Sequence, residues 1–424
     1  MSVFNEQPPL INVKKFSLWL KNNYAFLKTK NFKLLRLNSE RDLNFLIKFN
    51  ENIKYVVKIS NPKESLKQLE YQDLLIQHLR SNRQLQEIYP KILHKKILFY
   101  EDNKNRVCAV RLLTYINGNM YAKSKINTST EKSLGKLLAL QSKQLNNFMH
   151  SQAMRNFEWD PSNIRWVKKF LSLFSGFKKD VIIESIKQHE LFVQNNKKNL
   201  KHSVTHGDPN DYNIVVKNEK IVGLIDFGDS IYAPSINDLA IALSYSLTQS
   251  QNLFDTLNNI VGSYNKIYPI NDDEIYSLFG LIKSRLVITL IMAAKQRKKY
   301  PENKYLSISE KNAWLLIFKL NKIDPYFFIT VIRSICNKES ISNFSQRLDL
   351  LKSQKFGNIF DFDINDVNKK IVNFDKRSIL LKSNPSNFRL NNLVKKFLKN
   401  DIGIGFYKEK RKVYKSNHYI SSLN

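Results

Sequence analysis

Residues 206–228 read HGDPNDYNIVVKNEKIVGLIDFG, and this stretch contains the most informative pattern in a chain of 424 residues. A polar, turn-rich loop leads into two short apolar runs, which predict a β-hairpin that turns at residues 217–220. The loop contributes Asp208 and Asn213, and the second apolar run ends at Asp226. We therefore expect the hairpin to bring two carboxylates and one amide around a single point.

These three side chains are of the types that phosphoryl transfer requires. One carboxylate orients and deprotonates the attacking hydroxyl group, while a second carboxylate and an amide hold Mg²⁺ against the nucleotide phosphates. An Asp, four residues, an Asn, and later an Asp before Phe-Gly at the end of an apolar strand are typical of protein-kinase sequences. The structural alternative is an acidic hairpin in which Asp208 and Asp211 cap turns and Asn213 has a left-handed backbone.

Two charged residues upstream complete this pattern. Lys58 ends the apolar run KYVVK, and Glu70 belongs to the helical stretch that follows. A lysine directed at the α- and β-phosphates and held by a helix glutamate is a further part of kinase chemistry. Taken alone, Lys58 could be a solvated lysine of a strand. Glu64 and Asp73, on or near the same helix, are alternatives to Glu70.

The chain divides by pattern into a β-rich beginning, a mainly helical remainder and a polar end. Residues 1–115 contain strand-like runs on both sides of one helix at 64–79, which predicts a small antiparallel sheet carrying a helix. Residues 116–332 are mainly helical around the β-rich insertion 203–226, and 333–424 are interpreted as a tail or a small appended element. The predicted strands lie at 32–37, 44–49, 54–59, 91–100 and 106–116. The predicted helices of the remainder lie at 133–148, 164–173, 236–247, 276–299 and 312–320.

Composition excludes several classes of protein. The formal net charge is +31, which could favour a polyanion partner. The basic residues are spread along a chain that is also rich in Asn and Ile, without an arginine-rich arm, so we do not expect nucleic acid to be the ligand. Two cysteines, Cys108 and Cys336, are too few for a disulfide framework. The apolar run 286–294 is too short to span a membrane and is interpreted as part of a buried helix, so we expect a cytoplasmic protein.

Several separated motifs resemble the aminoglycoside phosphotransferase/choline kinase superfamily. They include HGDPNDYNIVV and GLIDFGDSIYAPSINDLAIALSY, which contain the residues discussed above. The resemblance extends over about residues 10–330, and within the superfamily it is greatest to hydroxylysine kinases and to the kinase-like domain joined to class III aminotransferases in some bacterial fusion proteins. The other matching motifs are SERDLNF at 39–45, YVVKIS at 55–60, VRLLTYINGN at 110–119 and FEWD at 157–160.

The resemblance implies an α+β, two-lobed protein-kinase-like fold, with a small β-rich N-lobe and a larger, mainly helical C-lobe. It implies that Asp208 is the catalytic base, that Asn213 and Asp226 bind Mg²⁺, and that Lys58, paired with Glu70, binds the phosphates of ATP or GTP.

The resemblance also assigns supporting positions. His206 would brace the catalytic loop, and Asp238 would buttress it from the next helix. Ser39 to Asn44 would form a flap over the nucleotide, and the stretch around Leu113 would be the hinge that reads the base. The flap lacks the glycines of protein kinases, and its Leu43 stands where a polar residue is expected, which leaves the choice between ATP and GTP open.

The substrate implied by the resemblance is a small hydroxylated amine. Asp229 could receive its ammonium group and Tyr232 lies nearby in sequence, although Asp229 could equally cap the turn before the next helix. Trp159 and Asp160 could line the acceptor pocket, and Arg285 could meet a substrate carboxylate, but each could also have an internal structural role.

The activity expected is transfer of the γ-phosphoryl group of ATP or GTP to a hydroxylysine-like acceptor. Choline-, homoserine- or aminoglycoside-type acceptors are alternatives, and so is a catalytically idle module that binds a nucleotide or a partner. The end of the chain, 401–419, resembles the stretch leading into the middle domain of the fusion proteins, so the tail is a candidate docking segment for a protein partner.

Overall fold

The computed structural model describes residues 6–37, 39, 41–49, 52–93, 96–299 and 306–339. The chain forms two compact units, the first made of Met1–Phe157 with His202–Ala233 and the second of Glu158–Lys201 with Pro234–Asn424. These units follow a different division from the lobe boundaries at 115 and 332, which stay predictions. Most of the appended element at 333–424, including the candidate docking segment, lies outside the described residues.

The first unit begins with a five-stranded antiparallel sheet in the order β1-β2-β3-β5-β4. In β2, Leu43, Phe45 and Ile47 alternate with more exposed residues and are buried, because successive side chains of a strand point to opposite faces. Helix α2, Leu66–Arg80, follows β3. The predicted antiparallel sheet and the predicted helix after its third strand are therefore confirmed. The strands are β1 Lys33–Leu37, β2 Leu43–Phe49, β3 Asn52–Ile59, β4 Leu98–Glu101 and β5 Val107–Thr114.

A helix that the sequence patterns did not predict precedes this sheet. Helix α1, Val13–Asn23, begins at Asn12, whose side chain accepts hydrogen bonds from the backbone amides of Lys14 and Lys15. Phe16 and Leu20, four residues apart and so on one helix face, are fully buried in the core of the sheet. The helix was not predicted, although Val13, Phe16 and Leu20 recur at helical spacing.

The remainder of the first unit contains the predicted hairpin. Its strands β8 and β9 pair with each other, and β8 also pairs with β6. Asn218 and Glu219 at the turn both have positive φ, 48° and 61°, as the tight turns of β-hairpins require. The predicted hairpin and its turn at 217–220 are confirmed. The elements here are β6 Asn119–Met120, α3 Thr128–Leu145, β7 His202–Thr205, β8 Ile214–Lys217, β9 Lys220–Leu224 and β10 Ile231–Pro234.

The second unit is mainly helical, as expected. Residues Arg165–Leu173, predicted as an ordinary helix, form a 3-10 helix instead. The sequence patterns missed α4, α6 and α9, although the buried Leu257, Ile260, Val261 and Tyr264 of α6 recur at helical spacing. The helices are α4 Gly176–His189, α5 Ile236–Gln249, α6 Leu253–Asn265, α7 Asp272–Lys299, α8 Leu306–Asn321 and α9 Pro325–Ile335.

Helix α7 contains the apolar run 286–294. By length and composition it is apolar enough to cross a membrane, but 89% of its apolar window is buried inside the protein. The interpretation of 286–294 as part of a buried helix is confirmed, although the apolar stretch extends well beyond those nine residues.

Asp102 ties the start of the chain to the turn between β4 and β5. Its buried carboxylate accepts hydrogen bonds from the backbone amides of Leu10, Lys104 and Arg106 and from the Arg106 guanidinium, with Nη2 at 2.6 Å. Arg106 also contacts Glu6 at 2.8 Å. Burial alone would raise the pKa of Asp102, but these hydrogen bonds outweigh burial and hold the pKa well below its usual range.

We predict that Asp102→Asn lowers the stability of the chain by about 3 kcal/mol at pH 7, because Arg106 loses a buried anionic partner. Since the folded-state pKa of Asp102 is lowered, its contribution is present above about pH 4 and is lost as the pH falls further. The difference in thermal midpoint between wild type and variant should therefore shrink from pH 7 towards pH 3. Asp180→Asn, at an exposed position of α4, is the control and should change the midpoint little at any pH.

Candidate active site

The loop between β7 and β8 has a conformation that depends on glycine. Gly207 has φ +82°, and a Cβ atom placed there would overlap the backbone carbonyl oxygen of Asp229. Only glycine adopts this backbone without strain and permits so close an approach. Gly207 therefore fixes how the segment carrying Asp208 lies against the segment carrying Asp229.

His206 joins this loop to the strand end that carries Asp226. Its Nδ1 accepts a hydrogen bond from the backbone amide of Asp208, and its Nε2 lies 3.2 Å from the carbonyl oxygen of Ile225. Since an amide can only donate, Nε2 carries the ring proton and donates to Ile225. Burial lowers the pKa of His206 to about 4, so the ring stays neutral and keeps both hydrogen bonds at neutral pH.

The carboxylate of Asp208 is oriented by two amides of its own loop. Asn210 donates from Nδ2 to Oδ2 of Asp208 at 2.6 Å, and Asn213 donates to the same atom at 3.1 Å. Asn213 also donates to the backbone carbonyl of Asp208 at 2.9 Å. Asn210 was not among the predicted residues, although an Asn two positions after the Asp in a turn-rich loop is a signal that could have suggested it.

Asn213 lies directly before β8 and Asp226 lies just after β9, so both are at the open end of the hairpin. Ile214 pairs with Leu224, and the amide of Ile225 donates to the carbonyl of Asn213 at 3.0 Å. Asp226 has φ +70°, a backbone conformation that is uncommon for residues other than glycine and is enriched at functional sites. Its side chain is 51% exposed, so the carboxylate is accessible.

These oxygens fit a magnesium ion better than a metal that needs a cluster of protein ligands. Within the described parts of the chain, no group of three or more His, Cys, Asp or Glu side chains could hold a metal ion. Mg²⁺ commonly takes one or two protein oxygens and completes its shell with water and phosphate. An Asp226 carboxylate beside an Asn213 amide that donates from its nitrogen, and so can present its oxygen, suits that requirement.

Lys58 contacts Asp226. Its Nζ lies 3.2 Å from Oδ1 of Asp226, and 18% of the lysine side chain is exposed. The positive charge of Lys58 lowers the pKa of Asp226 well below its usual range, against partial burial, and Arg41 adds to the effect. The structure thus brings together Lys58 and Asp226, which lie 168 residues apart in the chain.

Glu70 is not paired with Lys58 in the part of the chain that the structure describes, and its role towards a nucleotide stays a prediction. It is exposed on α2, and within the described residues Lys58 pairs with Asp226 rather than with Glu70. Asp73, on the same helix, pairs with Arg111 at 2.8 Å, and Arg111 is the neighbour of Lys58 across strands β3 and β5. Arg111 therefore links α2 to the sheet, a role that the prediction gave to Lys58 and Glu70.

Two arginines hold the segment after Asp226. Arg41 lies within the predicted flap at 39–44, and Arg155 was not predicted. Arg41 contacts Asp229, with Nη2 and Oδ1 3.2 Å apart. Arg155 donates from Nη2 to the backbone carbonyls of Gly228 at 2.7 Å and Ser230 at 3.2 Å. No local sequence signal marks either contact, because both join residues far apart in the chain.

The predicted nucleotide-binding positions lie in or beside the sheet. Asn44 is opposite Lys58 in the register of β2 and β3, and its Oδ1 is buried without a hydrogen bond. Ser39 is exposed and its Oγ accepts from the amide of Asp42 at 3.3 Å. Leu113 is buried in β5 opposite Val56. Their roles towards a nucleotide stay predictions.

The remaining predicted residues have structural contacts. Tyr232 stacks on His202, with ring centroids 6.0 Å apart. In the second unit, Asp238 is buried in the first turn of α5, so its predicted support of the catalytic loop stays a prediction. Asp160 accepts from Asn237 at 2.9 Å, and the Arg285 guanidinium stacks on Trp159 at 4.6 Å.

Comparisons with known proteins agree with this geometry. The model of the phosphotransferase enzyme family (APH) matches residues 33–263, more than half of the chain. Hydroxylysine kinase of Mus musculus is 30% identical over 220 residues, which cover 48% of this chain and 58% of the mouse protein. Hydroxylysine kinase of Xenopus laevis is 28% identical over 343 residues, 74% of this chain and 91% of that protein.

The fold is also that of solved kinases. A microcompartment-associated aminopropanol kinase superposes with a TM-score of 0.55 over 77% of this chain and 99% of its own, at 12% identity. At that identity the likeness shows the fold alone, and it confirms the predicted α+β, protein-kinase-like class. From the family match over residues 33–263, we conclude that the chain belongs to the phosphotransferase enzyme family.

Proposed function

We propose that this chain transfers the γ-phosphoryl group of ATP or GTP to the hydroxyl group of a small amine-containing metabolite, and that a hydroxylysine-like compound is its acceptor. The observation that carries the proposal is the contact of Lys58 with Asp226 at 3.2 Å, beside a loop whose Asp208 is oriented by Asn210 and Asn213. Kinases of the family use a nucleoside triphosphate with a divalent metal.

Asp208 would be the base that orients the acceptor hydroxyl and takes its proton. Asn210 and Asn213 both donate to Oδ2, which fixes the carboxylate before the acceptor arrives. Phosphoryl transfer asks for little covalent chemistry from the protein, so fixed geometry accounts for much of the rate enhancement. His206 would keep the loop in place through its neutral ring.

Asn213 and Asp226 would hold the magnesium ion, and Lys58 would bind the nucleotide phosphates. The ion, when bound, neutralises negative charge that develops on the transferred group. The protein's part is to keep the Asp226 carboxylate ionised, and the positive charge of Lys58 beside it does so.

The acceptor is proposed from the relatives and from the charge of the site. The curated relatives described above are hydroxylysine kinases, but the matched stretch spans only 58% of the mouse protein. Asp229 is the carboxylate proposed to meet an ammonium group, with Tyr232 nearby in sequence. Choline-, homoserine- and aminoglycoside-type acceptors share a hydroxyl and a cationic nitrogen and are the alternatives.

The decisive experiment is an acceptor panel. Purified protein is incubated with Mg²⁺ and ATP or GTP, with and without each acceptor, and both nucleoside diphosphate and phosphorylated product are measured. We expect 5-hydroxylysine to give a phosphorylated product, whereas lysine, which lacks the hydroxyl, should give none. If only choline or homoserine gives a product, that compound replaces hydroxylysine as the proposed acceptor. If nucleotide binds but no acceptor gives a product, an idle binding module is favoured.

We predict that Asp208→Asn lowers kcat by at least about a thousandfold, because general base and orientation are lost together. The amide keeps the size of the side chain, so the dissociation constant of MgATP should change by less than about threefold. Calorimetric titration with MgATP measures this dissociation constant, and a steady-state assay measures kcat. A variant with wild-type turnover would exclude Asp208 as the base.

We predict that Gly207→Ala abolishes most of the turnover, because the added Cβ overlaps the Asp229 carbonyl and displaces the catalytic loop. Gly176→Ala is a matched control. Gly176 also has positive φ, +52°, but an added Cβ would meet nothing within 4 Å, so this variant should lose only about 1 kcal/mol of stability and keep its activity. Equal loss of turnover in both variants would show that backbone strain, rather than the contact with Asp229, matters.

A further inference from the structure

An ion pair beside the proposed metal site is not explained by the roles given so far. Arg41 lies just before β2 and Asp229 lies three residues after Asp226 in the chain. Their charged atoms are 3.2 Å apart, and the side chains are 31% and 18% exposed. Arg41 thus forms an ion pair with Asp229, the carboxylate proposed to bind the ammonium group of the substrate.

The guanidinium of Arg41 also lies close to Asp226, the carboxylate proposed to bind the metal ion. A Cβ built on Gly228 would be 3.7 Å from Nη2 of Arg41 and 3.5 Å from Oδ1 of Asp226. Two cations, Lys58 and Arg41, therefore face two carboxylates, Asp226 and Asp229, in one small region. A nucleotide phosphate that comes to Lys58 enters the range of Arg41, whose planar group suits phosphate oxygens.

The backbones on the two sides of this ion pair are both held. Buried Asn61 donates from Nδ2 to the Arg41 carbonyl at 3.2 Å, and its amide donates to the Asp42 carboxylate at 3.0 Å. On the other side, Arg155 holds the carbonyls before and after Asp229. The long side chain of Arg41 is thus the part that can change partner, while Asp229 stays where it is.

The segment of Asp229 has a further anchor on α2. The hydroxyl groups of Tyr71 and Ser230 are 2.6 Å apart, and both residues are fully buried. Since Tyr71 belongs to the helix beside the sheet, movement of Asp229 towards a departing Arg41 would break a buried hydrogen bond. The carboxylate is therefore left behind, exposed to a new cation, when Arg41 turns away.

We propose that Arg41 is a nucleotide-phosphate-binding residue that Asp229 holds in the absence of nucleotide, and that its transfer to the phosphates releases Asp229 to bind the ammonium group of the acceptor. This inference rests on the proposed function in so far as the nucleotide binds beside Lys58. Because both ligands compete with the same ion pair, each raises the affinity for the other by the same factor. Nucleotide binding then prepares the acceptor site.

The test is a double-mutant cycle on MgATP binding, measured by calorimetry without any acceptor. Arg41→Gln should weaken binding by about tenfold, since a charge-assisted contact to phosphate is lost. Asp229→Asn should tighten binding by about three- to fivefold, since Arg41 no longer has to leave a partly buried carboxylate. In the Arg41→Gln background, Asp229→Asn should leave the affinity unchanged.

Three controls separate the possible explanations. Asp180→Asn changes the net charge equally at an exposed position and should not alter ATP affinity. AMP, which lacks the β- and γ-phosphates, should bind wild type and Arg41→Gln about equally. Lys58→Met should weaken ATP binding in every background, which places the nucleotide at this site.

The inference is overturned if Asp229→Asn leaves ATP affinity unchanged or weakens it, or if the tightening persists without Arg41. Those results would leave the proposed phosphotransfer intact, because wild type would still bind ATP and phosphorylate an acceptor. Failure of the wild-type chain to bind either ATP or GTP would contradict the proposed function itself. A further expected result is that saturating nonhydrolysable ATP analogue raises 5-hydroxylysine affinity in wild type but not in Asp229→Asn.

Discussion

The contact between Lys58 and Asp226 is the constraint around which the first compact unit is organised. It joins a central strand of the five-stranded sheet to the end of the hairpin, across 168 residues of sequence. The Lys58 side chain is mostly buried and gains a partner for its charge, while the Asp226 carboxylate stays half exposed. The surrounding structure keeps them in range: Ile59 and Val57 of β3 are fully buried, and the pairing of Ile214 with Leu224 sets where the hairpin ends. Asp226 also adopts a positive φ, which persists because its neighbours on both sides are held.

The catalytic loop is ordered by polar groups rather than by apolar packing alone. Neutral His206 bridges the Asp208 amide and the Ile225 carbonyl, and a protonated ring could not accept from that amide. Asn210 and Asn213 direct the Asp208 carboxylate, while Arg155 holds the backbone after Asp226. Preorganised polar groups of this kind need not rearrange during the reaction, which is why they contribute more in a folded site than in water. The positive φ of Asp226 is a local cost that this network offsets.

The sequence was informative where chemistry and local geometry coincide. The hairpin, its turn, and the order of Asp208, Asn213 and Asp226 could be predicted because loop and strands are continuous in the chain. The sheet could be predicted because its short apolar, β-like runs are separated by polar turns. The pairing of Lys58 with Glu70 could not be judged in this way, since it depends on how α2 sits on the sheet. In the structure, Asp73 of α2 pairs with Arg111, and Lys58 pairs with Asp226. Arg155 and the contact of Arg41 with Asp229 were missed because their partners are distant in sequence. Helix α1 was missed although its apolar residues recur at helical spacing.

The strong basic charge of the chain and the charge of the site have different consequences. A net charge of +31 gives a long-range field that raises the local concentration of anionic nucleotides, and salt screens it. Near Asp226, however, Lys58 and Arg41 are each matched by a carboxylate, so this region has no large excess charge to offer. A nucleotide can gain both cations only by separating them from Asp226 and Asp229. Under the proposed mechanism, the released carboxylates take new partners, a metal ion for Asp226 and a cationic acceptor for Asp229. Charge balance among these two cations and two carboxylates thus links the proposed binding of nucleotide, metal ion and acceptor. The excess positive charge elsewhere attracts only the nucleotide.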